Sequence, residues 1–292
     1  MAEFDLPERT TVGGAKTWFQ EQRAAKRGVF ALVDGDQGSV GQWQPVQRMP
    51  RTAQVNLFAA RTTNADALAV APRLFALADD SENERLLQVV DGQSAELPRC
   101  LLIATLLSLS ELVARLQRRI DVIADGDDMM LRFWDSRIFL SLHQSLPVEV
   151  RDRLMAFGDE ALVSNRRGGW AWLQLKCPAH DPLQDGPCRL SREDMKVLGA
   201  SARADAMLGM LRQQTPEVLA AVADEERHPL AVAQLAECLQ RGLQSPRDQA
   251  LALSLAIEHG PDWWAREEWV ECVEHARSSS LLKAYLHRME AA

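Results

Sequence analysis

The sequence predicts an α/β fold, in which a mixed sheet with flanking helices is followed by an all-α C-terminal domain. Before residue 176, short apolar runs with strand character alternate with amphipathic helical segments. Residues 176–190 contain three prolines and a glycine, a composition typical of linkers, and the chain beyond them has helical spacing throughout. We therefore expect an α/β domain at 1–176 and a helical domain at 190–292.

Composition excludes several classes of protein. Hydrophobic residues make up 47% of the 292-residue chain and charged residues 25%, as in ordinary globular proteins. The net charge of -8 argues against a nucleic-acid partner, because phosphate-binding surfaces are basic. The acidic N-terminus lacks the charge and the apolar stretch of a signal peptide, and no apolar window approaches the ~20 residues of a membrane span. We expect a cytoplasmic protein with no membrane partner, whose five cysteines are reduced.

The N-terminal part combines helical and strand signals. Trp18 and Phe19 anchor a polar segment, Lys16–Lys26, that is compatible with a helix. The apolar run Gly28–Val33 stops at Asp34-Gly35-Asp36, which indicates a buried strand followed by a turn. The remaining elements expected before residue 100 are a loop at 37–54, strands at Val55–Ala59 and Arg73–Leu77, and a helix at Glu82–Val90.

The clearest local pattern is a strand, a helix and a second strand. Cys100–Leu107 is continuously apolar, as in a strand buried on both faces. Ser108 and Glu111 have the spacing of a capping box at a helix N-terminus. The apolar stripe of this helix comprises Leu109, Leu112, Val113, Leu116, Ile120 and Ile123. Met129–Trp134 is the second strand, and a right-handed crossover follows if the two strands are parallel in one sheet.

The rest of the chain is predicted to be mainly helical. Pro147 separates two helices, Arg137–Leu146 and Val148–Phe157, and residues 161–175 form an edge strand or hairpin containing Trp170 and Trp172. After the linker, Ser191 caps a helix that runs to about Gln213. Further helices are expected at 216–226, 229–241, 246–259 and 265–289.

The sequence contains no complete catalytic or cofactor-binding motif. Phosphate-cradling loops, nucleophile elbows and HExxH zinc motifs are all lacking, so we expect no catalytic residue and no cofactor. Cys177, His180 and Cys188 supply only three of the four ligands of a structural zinc site, and we expect no metal. Turn chemistry explains the acidic residues Asp125, Asp127 and Asp128, and it explains the pair Asp34 and Asp36 at least as well as catalysis does.

Eight tryptophans accompany a single tyrosine. Trp263, Trp264 and Trp269 allow two interpretations. They pack the core of the helical domain, or at least one is exposed because Trp264 and Trp269 do not share a helix face. Exposed tryptophans favour protein interfaces, which makes these three residues candidates for contact with a partner.

Two segments resemble a known family. Leu109–Arg119 is similar to a helix of the effector adaptors, or chaperones, of bacterial type VI secretion systems. Met130–Ile138 is similar to the L-R-F-[YW]-D-P-R strand end of the same family, whose shared domain was formerly of unknown function. The resemblance extends over residues 28–175. Its specific part comprises Arg132, Phe133, Trp134, Asp135 and Arg137, and Ser136 replaces the usual proline.

The resemblance implies a binding protein of a Gram-negative bacterium, not an enzyme. Members of that family bind a secreted toxic effector and help to load it onto the spike-tip protein or its cap, with no cofactor. Arg132 and Asp135 are expected to form an ion pair that braces the junction of strand and helix, in preference to a direct contact with a partner. Two alternatives remain: a generic helical interaction scaffold, and an enzyme of unrecognised type that uses Asp34, Asp36 or Asp135.

Overall fold

The computed structural model describes residues 14–35, 54–77, 87, 100–166, 169–276 and 280–291. Two compact units divide the chain, Met1–Leu198 and Gly199–Ala292. The predicted fold class is confirmed, since sheets with flanking helices occupy the first unit and helices form the second. The predicted loop at 37–54, except Gln54, and the helix at Glu82–Val90, except Leu87, lie outside the described residues.

The first unit is built around a sheet of six strands. The strands of this unit, in chain order, are β1 (Gly28–Val33), β2 (Gln54–Asn56), β3 (Arg73–Leu77), β4 (Cys100–Thr105), β5 (Asp121–Ala124), β6 (Asp127–Met130), β7 (Glu160–Ser164), β8 (Trp170–Gln174) and β9 (Cys188–Leu190). The order in the large sheet is β2-β3-β1-β4-β7-β8, and every neighbouring pair is antiparallel. The hairpin predicted around Trp170 and Trp172 is therefore confirmed as β7 and β8, with β8 at the sheet edge.

Both faces of the large sheet are covered, which explains the uninterrupted apolar sequences of β1 and β4. All six residues of β4 are buried, and Leu101 and Ile103 pack in a different cluster from Cys100 and Leu102. Because side chains alternate between the faces of a strand, each cluster belongs to one face. The helices of this unit are α1 (Gly14–Ala24), α2 (Ala65–Ala69), α3 (Leu109–Arg118), α4 (Ser136–Ser145) and α5 (Val148–Leu154).

Helix α3 begins where the sequence predicts and ends earlier. Ser108 Oγ accepts a hydrogen bond from the Glu111 amide at 3.3 Å, and the Glu111 carboxylate accepts one from the Ser108 amide at 2.9 Å, which confirms the capping box. Leu112 and Leu116 are fully buried on the core side. Ile123, assigned to the helical stripe from the sequence, lies instead on β5.

Of the predicted strand Met129–Trp134, only Met129 and Met130 lie in a strand, β6, which belongs to a second sheet of three strands. Its order is β6-β5-β9, with β6 antiparallel and β9 parallel to β5. Asp125 and Gly126 join β5 to β6 and have φ values of 51° and 99°, as a two-residue type I′ hairpin turn requires. Because β6 ends at Met130 and does not join the sheet of β4, the parallel crossover considered from the sequence is wrong.

The segment at 176–190 is not a linker between the units. Its last three residues form β9, and both Asp181 and Leu183 are buried. The division between the units falls instead between Leu198 and Gly199, within a continuous helix. Proline and glycine mark irregular backbone here, but they do not mark a boundary.

Helices make up the second unit. They are α6 (Arg192–Gln214), which starts in the first unit, α7 (Pro216–Leu219), α8 (Asp224–Gln240), α9 (Pro246–His259), α10 (Glu267–Ala276) and α11 (Leu281–Ala291), with a 3-10 turn at Trp263–Ala265. Ser191 caps α6 as predicted, since its hydroxyl accepts a hydrogen bond from the Asp194 amide at 3.2 Å. The helix predicted at 216–226 ends at Leu219, and the one at 265–289 is divided between α10 and α11.

Across the described ranges, the helices are too short or too polar to cross a membrane.

Candidate functional site

Four residues of the specific part of the family resemblance lie in the connection between β6 and α4, at residues 131–135, which we call the corner segment. The fifth, Arg137, is the second residue of α4. Arg132 lies within this segment, and its guanidinium donates a hydrogen bond to the Asp34 carboxylate at 3.0 Å. Asp34 directly follows β1 and is buried, whereas the Arg132 side chain is 44% exposed. The ion pair therefore attaches the corner segment to the end of a central strand.

Asp135 has a different partner from the one predicted. Its carboxylate caps α4 by accepting the Arg137 amide at 3.0 Å, and it accepts two further hydrogen bonds from the Arg137 guanidinium at 3.0 and 2.7 Å. The expected Arg132–Asp135 ion pair is thus wrong, although the Asp135 amide does donate to the Arg132 carbonyl at 3.0 Å. The predicted structural role of the motif is carried by two separate ion pairs.

Ser136 occupies the first position of α4, where the related family usually has proline. Proline suits this position because the first amides of a helix have no partner within the helix. In this chain Ser136 is fully buried, and its hydroxyl lies 3.3 Å from the hydroxyl of Ser164 on β7. The replacement therefore exchanges a rigid turn for a polar contact with the large sheet.

Phe133 and Trp134 are core residues. Both are almost completely buried, and their rings meet edge to face with centroids 5.5 Å apart. Phe58 contacts Trp134 in the same manner at 5.7 Å, and Phe133 lies 6.0 Å from Phe157. The aromatic half of the motif thus stabilises the first unit and offers no surface to a partner.

A buried ion pair, which sequence reasoning missed, lies at the C-terminal end of α3. Arg119 is fully buried and donates to the two Asp181 oxygens at 2.8 and 3.2 Å and to the Leu154 carbonyl at 2.6 Å. Burial opposes ionisation of Asp181, but the Arg119 guanidinium and the Leu183 amide hold the pKa of that carboxyl below its ordinary value. An arginine near a helix end gives no indication in sequence that its partner lies 62 residues away.

Arg115 holds the same part of the chain from the preceding helical turn. Its guanidinium donates to the carbonyls of Ala156, Pro178 and Ala179 at 2.8 to 3.0 Å. It also lies 3.6 Å from Cys177 Sγ. Arg115 and Arg119 therefore fix residues 177–183 to the first unit.

The tryptophans of the second unit are not available for a partner contact. Trp263, Trp264 and Trp269 are 0%, 5% and 5% exposed. The rings of Trp263 and Trp264 stack with centroids 4.0 Å apart, and Trp264 Nε1 donates to Gln234 at 2.8 Å. These three tryptophans form the core of the helical unit, so they do not provide the candidate contact with a partner.

The described residues contain no group of three or more His, Cys, Asp or Glu side chains that could hold a metal ion. Cys188 is buried in β9, and burial raises the pKa of its thiol. Asp125 lies in the hairpin turn, as turn chemistry predicts. Of the predicted pair, Asp34 directly follows β1, and Asp36 lies outside the described residues.

The β6 edge, residues 127–130, is exposed and lies next to the corner segment. All four residues are exposed, and they include two acidic side chains followed by two methionines. Met129 and Met130 are 44% and 53% exposed. The sequence predicts a turn for the acidic residues and a strand for both methionines, and neither pattern indicates this exposed surface.

Comparison with known proteins found a match for one stretch of the chain. No curated protein and no solved structure matched. The matched stretch extends from β1 to α5 and contains Asp34, the corner segment and the β6 edge. Residues 29–153 match the model of a domain of unknown function, DUF4123.

Proposed function

We propose that this chain is a cytoplasmic adaptor of a bacterial type VI secretion system, which binds a toxic effector and helps to load it onto the spike tip. The observation that carries the proposal is the L-R-F-W-D-S-R sequence at 131–137, which resembles the adaptor family's motif. It lies inside the stretch that matches DUF4123, a family whose description names no activity. The family match is thus compatible with the proposal, but only the resemblance of the motif supports an adaptor function.

The ion pairs formed by the motif carboxylates favour a binding protein over an enzyme. Asp34 and Asp135 were the described carboxylates that an enzyme would most readily use at a strand end. Each is buried and is held by an arginine, Asp34 by Arg132 and Asp135 by Arg137. A buried carboxylate whose oxygens bind an arginine is poorly placed to contact a substrate.

The proposal requires a contact surface other than the motif itself. An adaptor must release its cargo, so we expect an interface near the standard ~1,600 Å² and not the larger area of an obligate complex. Such interfaces combine apolar anchors with a polar rim. The motif's role is to hold β6 and α4 in place, so that neighbouring exposed residues keep a fixed geometry.

Deletion of the gene tests the proposal. We expect the gene of the cognate toxin to lie beside this one. The deletion strain should secrete less of that toxin, and a plasmid copy of the wild-type gene should restore secretion. Equal secretion and equal abundance of that toxin in the two strains would contradict the adaptor function. Lower secretion with unchanged toxin abundance would indicate that the protein loads the effector but does not stabilise it.

A further inference from the structure

The β6 edge has an open side for strand pairing. Among the described strands, β6 pairs with β5 alone, and β9 lies on the other side of β5. Open strand edges present backbone amides and carbonyls that an added strand can bind, and proteins use this mode to recognise extended peptides. The corner segment follows β6 directly, and its Arg132–Asp34 ion pair ties the end of this edge to the large sheet.

The hairpin geometry identifies which backbone groups face outwards. Hydrogen-bonded and non-hydrogen-bonded pairs alternate along an antiparallel ladder. The Leu131 amide donates to the Ile120 carbonyl at 2.7 Å, so this pair and every second pair towards the turn are hydrogen-bonded. Asp127 and Met129 therefore bind β5, while the backbone groups of Asp128 and Met130 point away from it.

The side chains of the edge define the chemistry of an added strand. Neither Asp127 nor Asp128 makes an ion pair with another described residue, whereas Asp121 on the neighbouring strand is held by Arg61 at 2.6 Å. Two free carboxylates favour lysine or arginine opposite them. The exposed methionines beside them favour apolar residues, because flexible methionine side chains adapt to varied apolar partners.

We propose that the β6 edge is the docking site for an extended segment of the effector in which two basic residues adjoin two apolar ones. This inference rests on the proposed adaptor function. A second copy of this chain is a poor occupant, because both copies would bring an acidic edge and a net charge of -8, which repel each other. Charge complementarity thus selects a basic segment of a different protein.

Proline at position 130 tests the backbone part of the proposal. Met130→Pro removes an outward-facing amide and leaves the ladder to β5 intact, which is the setting in which edge strands tolerate proline. Met130→Ala is the matched control, since it shortens the same side chain and retains the amide. Thermal melts followed by circular dichroism should show that both variants fold like the wild type.

Charge reversal tests the side-chain part. The double variant Asp127→Lys/Asp128→Lys places two positive charges on the edge. Asp185→Lys is the control, because Asp185 is also exposed and lies in another part of the first unit. The fluorescence anisotropy of a labelled peptide of about eight residues, with a repeated Lys-Lys-Val-Val sequence, reports binding. A Glu-Glu-Val-Val peptide serves as the acidic counterpart.

The wild type should bind the basic peptide and not the acidic one. Met130→Pro should weaken binding about tenfold, through the lost backbone hydrogen bond, and charge reversal should abolish it. Met130→Ala should weaken binding less than Met130→Pro does, and Asp185→Lys should leave it unchanged. The proposal is overturned if the wild type does not bind the basic peptide, if Met130→Pro binds as well as the wild type, or if sedimentation shows a wild-type dimer that Met130→Pro dissociates.

Co-purification with the effector separates this inference from the adaptor function. If the effector co-purifies with the wild type and equally with Met130→Pro, the adaptor function stands and the β6 docking site is overturned. If it co-purifies with the wild type and is lost only with the β6 variants, both are supported. If the effector never co-purifies, the adaptor function falls, and the peptide measurements alone decide whether the β6 edge binds basic strands.

Discussion

Arg119 and Asp181 form a buried ion pair across 62 residues of sequence, with two hydrogen bonds of 2.8 and 3.2 Å. Arg119 lies just after α3, whereas Asp181 lies in a segment whose composition resembles a linker. Removing the Asp181 carboxylate would leave the Arg119 guanidinium buried without its counter-charge. The pair therefore makes residues 177–190 part of the first unit.

The Asp181→Asn variant should lose about 3–5 kcal/mol of unfolding free energy, the usual loss when one partner of a buried ion pair is removed. Chemical denaturation followed by circular dichroism measures this loss. Asp185→Asn is the matched control, because Asp185 is exposed in the same segment, and its effect should stay within about 0.5 kcal/mol. Equal stabilities of the two variants would show that the ion pair does not hold this segment.

The stabilisation by Asp181 should depend on pH in one direction. The pKa of Asp181 is lower in the folded protein than its ordinary value, despite burial, because Arg119 and the Leu183 amide favour the charged form. Its contribution is therefore fully present above the unfolded carboxyl pKa of about 4 and is lost as pH falls through the lower folded pKa. The stability difference between wild type and Asp181→Asn should shrink below about pH 4, and a difference that grew there would contradict the assignment.

Gly35 should not tolerate a side chain. A Cβ atom at this position would lie 2.0 Å from the Ala71 carbonyl oxygen, a backbone atom that cannot move aside cheaply. We expect Gly35→Ala to destabilise the protein by about 1–3 kcal/mol or more through overpacking. Gly199→Ala, with open space around the new atom in α6, should instead stabilise by up to about 1 kcal/mol. Thermal denaturation should therefore move in opposite directions for the two variants.

Leu112 should be essential to the first unit. It is fully buried on α3 against the large sheet, so Leu112→Ala should cost about 2–5 kcal/mol and Leu112→Asp should prevent folding. Leu106, which is 75% exposed at the end of β4, provides the control, and Leu106→Ala should have little effect. A wild-type melting temperature for Leu112→Asp would contradict the placement of α3.

Features determined by neighbouring residues could be predicted from the sequence. The capping box at Ser108 and Glu111 needs only residues within one helical turn, and it formed as expected. The Asp125-Gly126 turn was also visible, but Ile120 and Ile123 fit a helical spacing and led to an overlong helix. A two-residue Asp-Gly turn between strand candidates is the signal that could have identified the hairpin.

Features determined by distant residues could not be predicted. The spacing of Arg132 and Asp135 suggested an ion pair, but Asp34, 98 residues away from Arg132, took that place. Composition gave residues 176–190 the character of a linker, because it cannot show that Arg119 binds Asp181. The tryptophans of the second unit are buried through contacts among α8, α9, α10 and α11, which helix-by-helix reasoning does not include.

Quantitative co-purification from cells that produce the neighbouring toxin tests the central claim most directly. Tagged full-length protein should retain the toxin in a fixed molar ratio, and the folded Gly199→Ala variant should retain it equally. A tagged protein that melts like the purified wild type, yet recovers no more toxin than an unrelated tagged protein does, would contradict the adaptor function.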